Sequence, residues 1–163
     1  MATSQPKDAC DLLDDDHKAV KKLFKAYAAL VELPGSKKKP THDKKRELAS
    51  KICFELTVHA QLEEEIFYPP VRKAIKDDSL MNEAEVEHEG AKILIAQIQS
   101  MNPADAMFDA KVTVLGEYVD HHVKEERTEM FPKARASKVD LVKMRDALQA
   151  RRVELTADSG VPA

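Results

Sequence analysis

Two stretches of this chain carry residues whose types and spacing suit chemistry. They are His59-Ala60-Gln61-Leu62-Glu63-Glu64-Glu65-Ile66-Phe67-Tyr68-Pro69 and His122-Val123-Lys124-Glu125-Glu126-Arg127-Thr128-Glu129-Met130-Phe131-Pro132. In each, a histidine lies ten residues before a proline, a glutamate follows four residues after the histidine, and an aromatic stands close to the proline. Positions i and i+4 of an α-helix lie on one face, a turn apart. Each copy can therefore aim one imidazole and one carboxylate at the same point. Nitrogen and oxygen donors converging in a helical interior suit an iron-type metal centre.

The elements that must position these groups follow from apolar periodicity. Helix one is expected over about residues 8–33, with the stripe Leu13, His17, Val20, Phe24, Tyr27 and Val31 stepping by three and four. Pro34-Gly35-Ser36 should stop it, and Thr41 can cap helix two. The second stripe is Ile52, Leu56, His59, Glu63 and Ile66. Pro69-Pro70 should break or kink that helix, with a short continuation to about residue 76. Helix three, about 79–100, carries Ala84, His88, Ala91, Ile95 and Ile98. Asn102-Pro103 should end it and open helix four, about 104–133, with Val112, Leu115, Val119, His122, Glu126 and Met130. A fifth amphipathic helix is expected over 138–156, with Leu141, Leu148 and Leu155.

Four long helices with short connections predict an all-α, antiparallel up-down-up-down four-helix bundle with an additional C-terminal helix. The expected division is a bundle over 8–136, a C-terminal helix over 137–156 packing on the bundle or on a partner subunit, and flexible tails at 1–7 and 157–163. The chain also repeats internally. A helix with one histidine precedes a helix with His-x-x-x-Glu: His17 before His59 and Glu63, then His88 before His122 and Glu126. Such halves can pair around a pseudo-twofold axis and build a site with two equivalent sides.

A lone histidine on an apolar face is usually a satisfied core residue. Here four of six histidines continue an apolar stripe, one on each helix, and two carry a glutamate at the same offset. Buried carboxylates are almost never left unpaired. A metal explains six inward polar groups together; a purely structural polar network is the competing account. His42, among Asp43, Lys44 and Lys45, should be a surface residue. His121 and Glu125 share the i, i+4 spacing of His122 and Glu126, but Val119, Met130 and the offset to Pro132 favour the latter pair.

Composition bounds the rest. A chain of 163 residues fits one domain with a single buried core. Only four glycines favour helices over a turn-rich β fold. Lysine and arginine total 26 against 29 acidic residues, a net charge of −3, which gives no concentrated basic face for nucleic acid. Lys37-Lys38-Lys39 reads as a solvated loop between prolines. Two cysteines, Cys10 and Cys53, are too few for a disulfide framework. Neither a signal-peptide core at the N-terminus nor an apolar run of spanning length is present, so a reducing cytoplasm and no membrane partner are expected. There is no glycine-rich phosphate loop and no nucleophilic triad pattern.

At these residues the chain resembles the hemerythrin-like family, with its His-His-Glu cation-binding domain. The resemblance rests on the doubled H-x-x-x-E motif, the trailing aromatic-proline and the isolated histidines on alternate helices, and covers about residues 10–135. It implies a non-haem di-iron centre: two Fe ions, oxo- or hydroxo-bridged, with His17, His59, His88 and His122 as terminal ligands and Glu63 and Glu126 as bridges. The implied role is binding or sensing oxygen or a related small ligand, nitric oxide or peroxide. A di-iron peroxidase or oxidase, nitric oxide defence, and iron storage or repair are the alternatives. The sequence departs from the oxygen carriers in one respect: Lys92 stands four residues after His88, where a fifth histidine is expected. Six-coordinate iron would then keep about two open positions per metal. Glu64, His121 or Tyr118 could fill one. The fifth helix could pack on the bundle or against a second subunit in a homodimer.

Overall fold

The computed structural model describes residues 5–32 and 42–158. Pro34-Gly35-Ser36, Lys37-Lys38-Lys39, the Thr41 cap and the outer ends of both tails lie outside the described residues. Helix α1 spans Ala9–Val31 and opens with a capping box: Asp11 N–H donates to Asp8 Oδ1 at 2.9 Å, and Asp8 N–H donates to Asp11 Oδ2 at 3.0 Å. Helix α2 spans His42–Leu62 and runs into a π-helical turn, Glu63–Phe67, then α3, Tyr68–Ile75. Lys76, with φ 53°, ends that run in the left-handed conformation. Helix α4 is Asp78–Ser100, capped by Asp77. Helix α5 is Phe108–Glu125, followed by a second π-helical turn, Glu126–Met130, and α6, Phe131–Ala136. Helix α7 is Leu141–Asp158.

These elements form the antiparallel up-down-up-down bundle, with α7 added. Around the bundle α1 lies against α2 and α5, and α4 against α5 and α2. No strand occurs among the described residues, and no helix there is long and apolar enough to cross a membrane. Helix α7 packs on α1 and α2, burying Leu141, Met144 and Leu148 against a core that includes Leu13, Leu62, Met81 and Met130. A second core, with Val20, Tyr27, Ile52, Ile95, Phe108 and Leu115, fills the other end. At that end Tyr27 O–H donates to Asp109 at 2.6 Å and Lys45 pairs with the same carboxylate at 3.0 Å, tying α1, α2 and α5 together.

The prolines neither break nor sharply end the helices that carry the motifs. Each is preceded by a π-helical turn, in which Tyr68 N–H bonds Glu63 C=O and Phe131 N–H bonds Glu126 C=O. A proline clashes with the carbonyl four residues back and gives it no donor. Widening the turn by one residue relieves that conflict, so the chain stays helical to Ile75 and to Ala136. Helix α5 begins at Phe108, later than residue 104, because Asn102 and Asp105 side chains accept from Ala104 and Met107 N–H and hold a turn instead.

Candidate metal centre

Each histidine of the candidate site sits where its helix passes from one apolar core to the other. His17 lies between Leu13 and Val20, His59 between Leu56 and Leu62, His88 between Ala84 and Ile95, and His122 between Leu115 and Met130. All four are buried, as are Glu63 and Glu126, both at 0% exposure. The stripes therefore deliver six polar side chains to one layer in the middle of the bundle. His42 is exposed, as expected, and His121 is 68% exposed at its side chain.

The layer divides into two cups. His17 Nε2 and His59 Nε2 lie 3.1 Å apart; so do His88 Nε2 and His122 Nε2. Two nitrogens bound at right angles to one metal at about 2.1 Å would stand about 3.0 Å apart. The carboxylates lie between the cups. Glu126 Oε1 is 3.3 Å from His17 Nε2 and 3.2 Å from His122 Nε2. Glu63 Oε1 touches His59 Nε2 and lies 4.0 Å from His88 Nε2. His17, His59, Glu63 and Glu126 can thus surround one cation, and Glu63, His88 and His122 another. Both oxygens of Glu63 and Oε1 of Glu126 are buried without a hydrogen bond among the described residues. Such orphaned oxygens are rare and costly unless a cation meets them. The residues present fit a pair of metal ions.

The outer faces of the rings are also organised. Asp14 faces His17 Nδ1 at 3.3 Å, Asp16 faces His59 Nδ1 at 2.9 Å, and Glu87 faces His122 Nδ1 at 3.3 Å. A carboxylate on Nδ1 holds that proton outward and turns the Nε2 lone pair inward, the arrangement a metal-ligating histidine needs. Arg127 bonds Asp14 and Arg152, from α7, bonds Asp16. His88 is the exception: its Nδ1 is 3.9 Å from Glu64 Oε2, and Lys92 draws that carboxylate to itself.

Electrostatics of the metal-free cluster follow this geometry. Burial lowers the His59 pKa, but the Glu63 and Asp16 carboxylates outweigh it and raise the value to about 10. Burial likewise opposes protonation of His122, yet Glu126 and Glu87 carry it well above the ordinary imidazole range. His88, without a close outer carboxylate, is pulled down by burial to about 4. Burial opposes ionisation of Glu126, but His122 and its other partners hold the carboxyl well below its usual value.

One residue of the site is invisible to an α-helical reading. Tyr68 O–H lies 3.0 Å from His88 Nε2 and 3.1 Å from His122 Nε2, and donates to Glu126 Oε2 at 3.3 Å. Five residues along an α-helix turn the side chain about 140° away, so Tyr68 should leave the face that Glu63 occupies. The π-helical turn brings it back. The aromatic-proline at a constant offset from the glutamate was the available signal. Glu64, His121 and Tyr118 do not take this place: Glu64 pairs with Lys92, His121 turns toward Glu125, and Tyr118 lies against Gly90 at the surface. Lys92, where a fifth histidine would stand, is 55% exposed at its side chain.

A cavity of ≈ 320 Å³ reaches the cluster, lined by the four histidines and by Val20, Leu56, Ile95, Val119 and Val123 among others. The arrangement can hold two cations and admit a small molecule to them. The sequence model of the hemerythrin HHE cation binding domain matches residues 8–134. A DNA nickase from Nostoc sp. is 31% identical over 121 residues, which are 74% of this chain and 32% of the nickase. The chain thus spans about a third of that curated relative's length. The crystal structure of a hemerythrin HHE cation binding domain-containing protein from Mycobacterium kansasii is similar in fold, with a TM-score of 0.74 and 17% identity over 94% of this chain and 90% of that one.

Proposed function

The chain belongs to the hemerythrin HHE cation-binding domain family, and from that premise we propose that it holds two iron ions and presents them to a small ligand: oxygen, nitric oxide or peroxide. The observation that carries this reading is the set of buried oxygens of Glu63 and Glu126, without hydrogen bonds, between two pairs of inward Nε2 atoms. His17 and His59 would hold one ion, His88 and His122 the other, with Glu63 and Glu126 shared. Iron bound there would supply reversible electron transfer to a small ligand. The chain's own part is to keep the rings oriented through Asp14, Asp16 and Glu87, and to keep bulk water from the layer with the apolar residues above and below it. Two free buried thiols, Cys10 and Cys53, support a reducing cytoplasm as its setting.

The test is metal analysis with optical spectra of protein purified in air and without oxygen. Two irons per chain and a spectrum that changes on admitting oxygen are expected. One iron per chain or fewer after full loading would overturn the proposal.

Tyr68 favours a second reading, turnover of peroxide. Burial raises its pKa well above the ordinary phenol value, so it stays protonated beside Glu126 and the His88–His122 pair. A phenol held protonated in the site is a fixed hydrogen-bond donor, placed to stabilise charge that develops on a bound peroxide. Sustained peroxide consumption with an added reductant supports this reading, and a stable stoichiometric adduct supports binding.

A further inference from the structure

A second cluster of potential ligands lies on the outside of the bundle, between α4 and α5. His121 Nε2 stands 3.5 Å from Glu125 Oε1 and 3.7 Å from Glu87 Oε2. One candidate atom from each of the three residues lies within 4.8 Å of the others. The surrounding groove is also lined by Glu83 and Glu117, giving it four glutamates and no lysine or arginine among its lining residues.

We propose that Glu87, His121 and Glu125 form a third cation site, open to solvent, for a divalent transition-metal ion. An ordinary ion-pair cluster is the competing account, and two observations weigh against it. At 3.5 and 3.7 Å the imidazole makes no hydrogen bond to either carboxylate. Glu87 Oε2 is buried and receives no N–H or hydroxyl donor among the described residues, its neighbour being the Glu125 carboxyl, while its sister Oε1 faces His122 Nδ1 at 3.3 Å. An open carboxylate oxygen facing a second imidazole and a second carboxylate is short of a cation. The separations also suit one: ligand atoms about 2.1 Å from a tetrahedral ion stand about 3.4 Å apart. One imidazole and two carboxylates favour ions such as ferrous iron, manganese or zinc over magnesium or calcium.

The position gives the site a relation to the buried cluster. Glu87 turns one oxygen to the outer group and the other to His122. A cation held outside therefore shares a carboxylate with a ring of the inner layer, and the outer cluster is placed to collect metal from solvent. Its existence does not depend on the inner layer being filled with iron.

The test uses zinc as the probe and the full chain. Histidines are modified with diethylpyrocarbonate at increasing zinc, and modified peptides are quantified by mass spectrometry. His121 is exposed and should react readily; zinc should protect it, while exposed His42 serves as the control. In Glu125→Gln the zinc concentration giving half-protection should rise at least tenfold. Iron content of the same samples is measured in parallel, so a failure of the buried site is seen separately. His121 reacting equally fast with and without zinc, His42 protected to the same degree, or an unchanged zinc dependence in Glu125→Gln would each overturn the proposal.

Discussion

Tyr68 and Phe131 occupy the same place in the two halves of the repeat, five residues after a buried glutamate and one before a proline, yet only Tyr68 brings a polar atom to the site. Phe131 instead stacks on His17, with centroids 6.1 Å apart and 5° between the planes. The backbone of the two halves is alike; their chemistry is not. The side with His88 and His122 has a phenol, and the side with His17 and His59 has a hydrocarbon wall.

Tyr68→Phe should therefore leave two metals bound while changing reactivity. Loss of one positioned hydrogen-bond donor costs about 10²- to 10³-fold where charge develops on the ligand. Peroxide consumption should fall by that order, with metal content unchanged. Equal rates for the variant and the parent would remove Tyr68 from the chemistry.

The paired histidines 121 and 122 give a direct contrast. His122→Ala removes a ring whose Nε2 sits 3.1 Å from that of His88 and 3.2 Å from Glu126 Oε1. Iron content should drop to about half or less of the parent. His121→Ala should retain the full buried complement, because its side chain is 68% exposed. Metal analysis after desalting distinguishes them, and equal iron in both variants would contradict the ligand set.

Acidification should set metal against protons. In metal-free protein the His59 pKa is raised from 6.5 to about 10. A group raised on folding contributes stability that is fully present below its unfolded value and is lost as pH rises through its folded value. That contribution to the metal-free form is complete below about pH 6.5 and declines toward about pH 10. Metal requires a neutral ring, so the loaded form does not share the decline. The gap in Tm between loaded and metal-free protein should widen from about pH 6 to about pH 9, read by calorimetry. A gap that narrows over that interval would contradict the assignment of His59.

Helix α7 lies beyond the family match but reaches the site through Arg152, Asp16 and His59. Removing the outer partner of a ligand, here Asp16, typically lowers metal affinity about 10- to 100-fold; Arg152→Ala, one bond further out, should lower it in the same direction by less. Leu148→Ala, at 0% exposure, should instead lower stability by about 2–5 kcal/mol through a cavity. A chelator competition and a denaturant melt separate the two effects. Unchanged metal retention in Arg152→Ala would show that α7 only packs.

The sequence by itself determined which faces turn inward. The three-four spacing of Leu13, His17 and Val20, or of Leu56, His59 and Glu63, is a property of one helix and needs no partner to read. It sufficed to bring His17, His59, Glu63, His88, His122 and Glu126 into one buried layer and to leave His42 and His121 outside. The tertiary structure decided what local periodicity does not contain. A π-helical turn after each glutamate resets the phase, which is why Ile66 is only half-buried while Phe67 and Tyr68 are buried. Pairing of His17 with His59, and of His88 with His122, depends on which helices are neighbours. Asp16 meets His59, Glu87 meets His122, and Arg127 and Arg152 reach Asp14 and Asp16 across helices separated by up to 136 residues of chain. Only packing brings such groups within reach of one another.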